Sequence, residues 1–386
     1  MSQIMTLAQK KKNRFFNVEY KLRYYDFLLL AAVLALSVIG VVAISSADAS
    51  LLVKRIGGVL GCAAALILVS LIDYKFILKF WWLAYLVNTA LLTAVLTIGH
   101  TSHGAKRWLR IGSSFTFQPS EFTKVLLILF FAQFFMLFRE KWKSYVFLPV
   151  CVLLFLPSLL LVYKEPDLST SIMLCIIFGI ILFVGGIDRR LVAAAVIIAL
   201  PLMIFMIYSA AAWETHPLLD PFQQQRIRAW LRPEDYATSD AYQTLNSLMA
   251  IGSGQLTGKG INTNEITSVL NSGYISESET DLIFTVIGEE SGFVGGCAVI
   301  LLFLFVTLKC LMTAGRAKDT AGRIIAASVG GWIGFQGFMN IGVATGVVPN
   351  TGIPLPFVSS GLTSLLSTFG AIGIVINIGL QGKRRY

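Results

Sequence analysis

The chain has 386 residues, of which 56% are hydrophobic and only 13% are charged, and its formal net charge is +10. Soluble domains carry about 25% charged residues, so this composition excludes a soluble enzyme. A transmembrane β-barrel would alternate polar and apolar positions, whereas runs such as 172–184 are continuously apolar. The positive charge does not require a nucleic-acid partner, because basic loops that face anionic membrane lipids account for it.

Apolar runs of roughly 17–25 residues, long enough to cross a bilayer, recur along the chain. They predict ten transmembrane helices at about 26–45, 52–72, 77–99, 119–138, 144–163, 168–186, 190–210, 281–312, 324–348 and 357–380. The fifth and sixth runs can also be interpreted as one interrupted hairpin. We therefore expect an all-α polytopic integral membrane protein that forms a single domain over residues 1–386.

The distribution of Lys and Arg predicts the orientation of these helices, because short cytoplasmic loops are enriched in basic residues. Most of the 31 basic residues fall in the tail 1–25, in alternate short loops and at the C-terminus. Both termini are therefore expected in the cytoplasm. The long hydrophilic loop 211–280, between the seventh and eighth helices, is expected outside. The five cysteines lie within apolar runs without metal-ligand spacing, so we expect no metal centre built from them.

The first polar cluster on the predicted outer side follows the third helix. Lys106, Arg107 and Arg110 surround a tryptophan in a segment with too few apolar residues to span a membrane. We interpret this segment as a re-entrant or interfacial element. Cations on the outer side are unexpected and favour an anion site for a phosphorylated lipid; the alternative is that they only hold headgroups. Glu121 and Lys124 share a face of the next helix, where they can form an ion pair or join that site.

Two broken turns lie on the same side. Asp167 follows Pro166 between the fifth and sixth helices. It is a candidate for the outer site, although capping the following helix is the simpler interpretation, since Asp is a good N-cap residue. The segment 349–361 holds three prolines and two glycines between the last two helices. Such irregular backbone at membrane depth must be buried in protein or line a cavity, so we expect a re-entrant turn there.

The loop 211–280 contains an amphipathic stretch at 242–251. A glycine-rich segment follows at 252–260 and includes Ser253 and Lys259. A nucleotide-binding loop is disfavoured, because no strand precedes this segment and it lacks the Lys-Ser or Lys-Thr ending. The glycines instead favour a close approach of the backbone to a glycan or a lipid headgroup. Ser253 and Lys259 are therefore candidate binding residues.

Asp281 ends this loop, directly before an apolar run. A carboxylate half out of water at a helix entrance can have a raised pKa and act as a base on a membrane-bound substrate. From the residues alone, capping of the eighth helix explains Asp281 equally well. Glu289 and Glu290 lie within the same apolar run, where they need partners, and we expect hydrogen bonds to a neighbouring helix.

Six segments in this order resemble the SEDS family of shape, elongation, division and sporulation proteins. They are GAKRWLRIG, QPSEFTK, AIGSG, TGKG, ETDLIFTVIGEESGFVGG and TGIPLPFVSSG, and the resemblance extends over nearly the whole chain. The short termini and the Ile-Pro-Leu-Pro-Phe turn are somewhat more similar to the RodA branch than to the FtsW branch. The sequence departs from the family pattern just before Asp281, at Ser276 and Glu279.

The resemblance implies a peptidoglycan glycosyltransferase of the bacterial cytoplasmic membrane. Such an enzyme polymerises lipid II and works with a class B penicillin-binding protein. Asp281 would take the proton of the attacking GlcNAc 4-hydroxyl, and nearby cations would stabilise the departing pyrophosphate. The residues expected near the substrate are Lys106, Arg107, Arg110, Glu121, Lys124, Asp167, Ser253 and Lys259. A divalent cation held by carboxylates of this region is left open, and no other cofactor is expected.

Three alternatives use the same residues. A lipid flippase or exporter would place broken helices and carboxylates near the membrane midplane, often in paired halves, whereas these polar groups lie at the outer side and the sequence shows no duplicated halves. A polymerase or ligase of another polyprenyl-linked glycan would share the large outer loop and basic residues. A scaffold that only recruits the transpeptidase would keep partner binding without glycan synthesis.

Overall fold

The computed structural model describes residues 25–102, 105–111, 115–140, 142–262, 268–269 and 279–382. Its helices are α1 (Phe27–Ala47), α2 (Leu52–Leu71), α3 (Tyr74–Leu78), α4 (Trp81–Ile98), α5 (Pro119–Phe138), α6 (Ser144–Lys164), α7 (Leu168–Val184), α8 (Arg189–Ala212), α9 (Pro221–Leu231), α10 (Tyr242–Ser253), α11 (Ile283–Arg316), α12 (Thr320–Ala344) and α13 (Leu362–Leu380). Three short strands are β1 (His100–Ser102), β2 (Ala105–Ile111) and β3 (Phe115–Phe117). The predicted basic tail lies outside the described residues, except for its last residue.

A helix occupies the position of each of the ten predicted spans. Within the described residues, nine helices are long and apolar enough to cross a membrane, and α7, with 17 residues, is a shorter apolar helix. α6 and α7 are two helices joined by the turn at 165–167, an arrangement that fits both two spans and one interrupted hairpin. The polytopic all-α architecture is confirmed, while the count of ten spans depends on whether α7 crosses the membrane.

Polar contacts at one end of the bundle join segments that the sequence places in the cytoplasm. Lys309 Nζ lies 2.8 Å from Asp26 Oδ2, and the Tyr74 hydroxyl donates to Asp319 Oδ2 at 2.7 Å. The strands β1–β3 lie between α4 and α5, and the turn 349–361 joins α12 to α13. Both connections belong to the opposite end of the bundle. This up-and-down arrangement agrees with the predicted alternation of the spans, and it gathers the candidate site residues at the other end.

The core of the bundle is built around α12 and α13, which pack against α11, α2 and α5. Trp332 on α12 and Phe369 on α13 are fully buried. α8 is the opposite case, because the buried residues within it are only Ser209 and Ala210, in its last turn. The most enclosed helices are therefore the two that flank the turn 349–361.

The cationic segment after α4 forms a small antiparallel sheet of order β1-β2-β3. Arg110 pairs with Thr116 and Lys106 pairs with Thr101. Sequence analysis predicted a re-entrant or interfacial element here and did not predict strands. Side chains in a strand alternate between two faces, so Lys106 and Arg110 share one face and Arg107 lies on the other. Polar and apolar residues do not alternate along β2, so local periodicity gave no signal for this strand.

The glycine-rich segment after α10 packs into a break in α11. Gly292 interrupts that helix with φ 64° and ψ −161°. The Phe293 amide donates to Gln255 O at 2.8 Å, and the Lys259 amide donates to Glu289 O at 3.0 Å. A break in a helix leaves backbone groups without intrahelical partners. The segment that was predicted to face a glycan or a headgroup supplies those partners instead.

We expect Gly254→Ala to destabilise the protein, because an added Cβ would stand 2.1 Å from the Gly288 carbonyl oxygen. Overpacking of this kind costs about 1–3 kcal/mol, and it should lower the Tm of the purified protein in detergent. Gly252→Ala is the matched control, since a Cβ at Gly252 would meet no atom within 4 Å. Equal Tm values for the two variants would contradict the packing described here.

Candidate functional site

Asp281 lies in a turn whose backbone is held from two sides. The buried Asn340 side chain donates from Nδ2 to Asp281 O and to Ile353 O, both at 2.8 Å. Just before Asp281, the Ser359 hydroxyl donates to Thr280 O at 2.5 Å. These bonds join the end of the long loop to the turn 349–361. The backbone of Asp281 is therefore fixed by α12 and by that turn.

The Asp281 side chain is partly exposed and does not cap a helix. α11 begins at Ile283, the residue at its cap position is Leu282, and this cap has no side-chain hydrogen bond. The capping explanation of Asp281 is therefore wrong. A partly exposed carboxylate on a fixed backbone, outside the cap position of the helix, is suited to chemistry.

Beside Gly352, the Asp281 carboxylate lies near Arg226, a cation that was not among the predicted site residues. Gly352 has φ +65°, and a Cβ built on it would lie 3.2 Å from Asp281 Oδ2 and 3.8 Å from Arg226 Nη1. The same Arg226 nitrogen donates to Asn350 O at 3.2 Å. Arg226 lies on α9, within the long loop. The only signal for it in the sequence was that this loop contains three arginines close together. A carboxylate and a guanidinium thus face one small region beside the turn.

Glu121 and Lys124 form a buried ion pair rather than an open anion site. Lys124 Nζ lies 2.7 Å from Glu121 Oε1, and it also donates to Gln336 Oε1 at 3.0 Å. Glu121 and Lys124 are 2% and 1% exposed. Gln336 Nε2 in turn donates to Pro354 O at 2.8 Å. The pair therefore supports the turn beside Asp281, and its predicted contact with substrate would need these side chains to move.

Arg107 and Asp167 also bond to the protein itself. Arg107 Nε donates to Glu165 O at 3.2 Å, and its Nη2 donates to Pro166 O. Asp167 accepts from the Thr170 amide at 3.0 Å and from the Thr170 hydroxyl at 2.9 Å. Capping, the simpler interpretation of Asp167, is confirmed. Arg107 holds the turn before α7, so neither side chain is placed to bind a pyrophosphate in this conformation.

Ser253 and Lys259 bond within their own region. The Ser253 hydroxyl donates to Ala250 O at 2.7 Å. Lys259 Nζ lies 2.8 Å from Glu289 Oε1, and Glu289 is 0% exposed. Glu289 also accepts from the Val269 amide of the loop at 2.9 Å. Glu290 accepts from the Asn262 amide of the loop at 3.0 Å, and its carboxylate also interacts with Ser46 on the neighbouring helix α1, as predicted.

Lys106 and Arg110 remain exposed, on the face of β2 opposite Arg107. Of the predicted cations, these two are the ones whose charge is open to solvent or headgroups. The structure gives less support to a divalent-cation site, because the Asp167 carboxylate caps α7 and the Glu121 carboxylate pairs with Lys124. Among the described residues, no group of three His, Cys, Asp or Glu side chains could hold a metal ion.

Comparison with known proteins identifies the family. A sequence model of the FtsW/RodA/SpoVE family, described as cell cycle protein, matches residues 21–384. The chain belongs to this family. A relative from Geobacter metallireducens, named probable peptidoglycan glycosyltransferase FtsW, is 30% identical over 95% of this chain and 99% of its own length. A relative of the same name from Trichlorobacter lovleyi is 32% identical over 93% of this chain and 94% of its own.

Solved structures of family members share the fold. A chain from a study of polymerization and crosslinking by a peptidoglycan synthase complex matches with a TM-score of 0.76 and 26% identity, covering 92% of this chain and 97% of that one. The rod shape determining protein RodA of Thermus thermophilus matches with a TM-score of 0.67 and 23% identity, over 92% and 96%. The sequence relatives carry the name FtsW and the Thermus thermophilus structure carries the name RodA, so the comparisons identify the family and do not distinguish between its branches.

We expect Lys124→Met to lower the Tm strongly, because it leaves the Glu121 carboxylate buried without its cation. Breaking a buried pair by removing one partner costs about 3–5 kcal/mol. The double variant Glu121→Gln/Lys124→Met removes both charges and should recover part of that loss. A direct role in substrate binding would give the opposite pattern, with a raised KM for the lipid substrate and an unchanged Tm.

Glu165 gives the protein a pH dependence that follows from burial. Its side chain is 0% exposed, and neither carboxylate oxygen has a hydrogen-bond partner in the structure. Burial, and then the nearby Asp167 carboxylate, raise the pKa of Glu165 to about 8. Between the ordinary Glu pKa of about 4.3 and this value, the folded state binds more protons than the unfolded state, so stability falls as pH rises.

Glu165→Gln cannot lose a proton in this range and should remove this part of the pH dependence. We expect its Tm to exceed that of the wild-type protein at pH 8, with the difference closing towards pH 5. Thermal unfolding of the two proteins across this pH range measures the effect. A difference in Tm that is independent of pH would show that Glu165 does not titrate as described.

Proposed function

We propose that this chain is a peptidoglycan glycosyltransferase that polymerises lipid II at the outer face of the bacterial cytoplasmic membrane. The observation that carries the proposal is the Asp281 carboxylate, partly exposed beside Arg226 and fixed through its backbone by Asn340. The names of the relatives support the same activity, since those quoted above are called probable peptidoglycan glycosyltransferases.

In the proposed reaction, Asp281 acts as the general base. It accepts the proton of the GlcNAc 4-hydroxyl of one lipid II molecule, while that oxygen forms a bond to the anomeric carbon of a second. The bond between this carbon and the pyrophosphate oxygen breaks, and the lipid pyrophosphate leaves with the electron pair. One displacement at an α-linked donor gives a β-linked product. General base catalysis of this kind typically contributes roughly 10²–10⁴-fold in rate.

The leaving group needs positive charge, and the structure changes which residues we assign to this role. We propose that Arg226 contacts the departing pyrophosphate, because its guanidinium and the Asp281 carboxylate lie within 4 Å of the same point. A preorganised cation is most useful where negative charge develops in the transition state. Lys106 and Arg110, exposed on β2, are proposed to bind the phosphates or headgroups of membrane lipids as the substrate approaches.

We also propose a class B penicillin-binding protein as the partner that crosslinks the product. The similarity to a chain studied in a complex for polymerization and crosslinking supports such a pairing. With such a partner, this chain would synthesise the glycan strand and the other protein would crosslink the peptides. Co-purification of the chain with a candidate transpeptidase from membranes tests this pairing independently of catalysis.

Asp281→Asn should abolish polymerisation while leaving the fold intact, because the amide cannot accept the hydroxyl proton. We expect kcat with purified lipid II to fall by roughly 10²–10⁴-fold, with the variant still monodisperse in detergent. Glu279→Gln is the matched control, since it removes a carboxylate two residues away that the proposed reaction does not use. If folded Asp281→Asn polymerises lipid II at the wild-type rate, the proposed base is wrong.

A further inference from the structure

The turn 349–361 contains a residue in a strained backbone conformation. Phe357 has φ +65°, a region that residues other than glycine rarely adopt and that is unfavourable for a bulky side chain. Its ring is buried and meets the Phe369 ring edge-on, with centroids 5.5 Å apart. Strain of this kind persists only where the surroundings enforce it, and it occurs preferentially at functional sites.

Arg55 bonds to the backbone of this strained residue. It lies on α2, is 2% exposed, and donates from Nη2 to Phe357 O at 2.5 Å and to Val358 O at 3.0 Å. Its Nε and Nη1 make no hydrogen bond in the structure. A buried guanidinium in a membrane-spanning helix is costly, and such residues are usually functional. Here the charge is directed at the two carbonyl oxygens of the strained turn.

The turn 349–361 is hydrogen-bonded directly to the backbone that precedes Asp281. Val358 packs against α1, where a Cβ on Gly40 would stand 2.4 Å from the Val358 oxygen. Ser359 follows, and its hydroxyl accepts from the Leu355 amide at 2.8 Å and donates to Thr280 O at 2.5 Å. The next residue of the turn donates from its amide to Glu279 O at 3.0 Å. The two residues that directly follow the carbonyls held by Arg55 are therefore bonded to the two residues that precede Asp281.

We propose that Arg55 is a positioning residue for Asp281. It holds Phe357 and Val358 in the strained conformation, and Ser359 then fixes the direction in which the chain enters Asp281. A single guanidinium nitrogen, Nη2, bonds to both carbonyl oxygens, so a lysine ammonium in the same place could keep part of this contact. The inference rests on the proposed role of Asp281 as the base, and it assigns Arg55 no contact with substrate.

The test compares kcat, KM and Tm for Arg55→Met and Arg55→Lys with purified lipid II. We expect Arg55→Met to lose about 10–100-fold in kcat, because small misplacements of a catalytic group have effects of this size. KM should stay within about twofold, since binding contacts are untouched. Arg55→Lys retains a cationic N–H donor and should recover part of kcat. A kcat for Arg55→Met within twofold of wild type overturns the proposal.

A control variant separates positioning from a general loss of stability. Asn88→Ala removes a buried hydrogen bond of 2.9 Å to Ser158, between α4 and α6 and away from the turn. We expect it to lower the Tm while kcat stays at the wild-type level. If Asn88→Ala loses as much kcat as Arg55→Met at a comparable Tm, the effect of Arg55 is only structural and the proposal fails.

A double-mutant cycle decides the case if Arg55→Met does not fold. Arg55→Lys and Ser359→Ala act on the same connection, so the double variant should lose little more kcat than the more severe single variant. Effects that multiply would show independent roles and overturn the proposal. Asp281→Asn is measured separately. Its activity tests whether Asp281 is the base, whereas the double-mutant cycle tests whether Arg55 and Ser359 position Asp281.

Discussion

The side-chain amide of Asn340 bonds to the backbone oxygens of both Asp281 and Ile353, and the architecture of the site depends on this contact. It connects the end of the long loop to the turn between the last two helices. Irregular backbone at membrane depth is tolerated only where protein groups satisfy it. Gln336, one turn earlier on α12, bonds to the carbonyl of Pro354 in the same way. α12 thus supplies the polar groups that allow a broken turn to sit beside a carboxylate.

This requirement explains why so many polar residues of the outer end face inwards. Lys124 reaches Gln336, Arg107 bonds to the turn before α7, and Lys259 pairs with Glu289 in the break of α11. Each of these cations stabilises backbone or buried carboxylates, and none is left free for a ligand in this conformation. The site is therefore small: one carboxylate and its neighbouring guanidinium, surrounded by a polar framework that holds them.

The parts of the fold that the sequence predicts are those that depend on local periodicity. The apolar runs predict the helices, the spacing of three predicts the Glu121–Lys124 pair, and Asp167 after a proline predicts a cap. The strands around Lys106 were missed, because polar and apolar residues do not alternate along the seven residues of β2. Arg226 was missed because its proximity to Asp281 arises from a contact between distant segments. The family resemblance, and not the local pattern, distinguished Asp281 from a capping residue.

Polymerisation of purified lipid II by the purified chain, with and without its candidate transpeptidase, tests the central claim most directly. The account predicts glycan strands that a muramidase cleaves and whose new linkages are β, formed with release of the lipid pyrophosphate. A chain that is folded in either condition but only moves lipid II across a vesicle membrane, or that yields α-linked product, would contradict it.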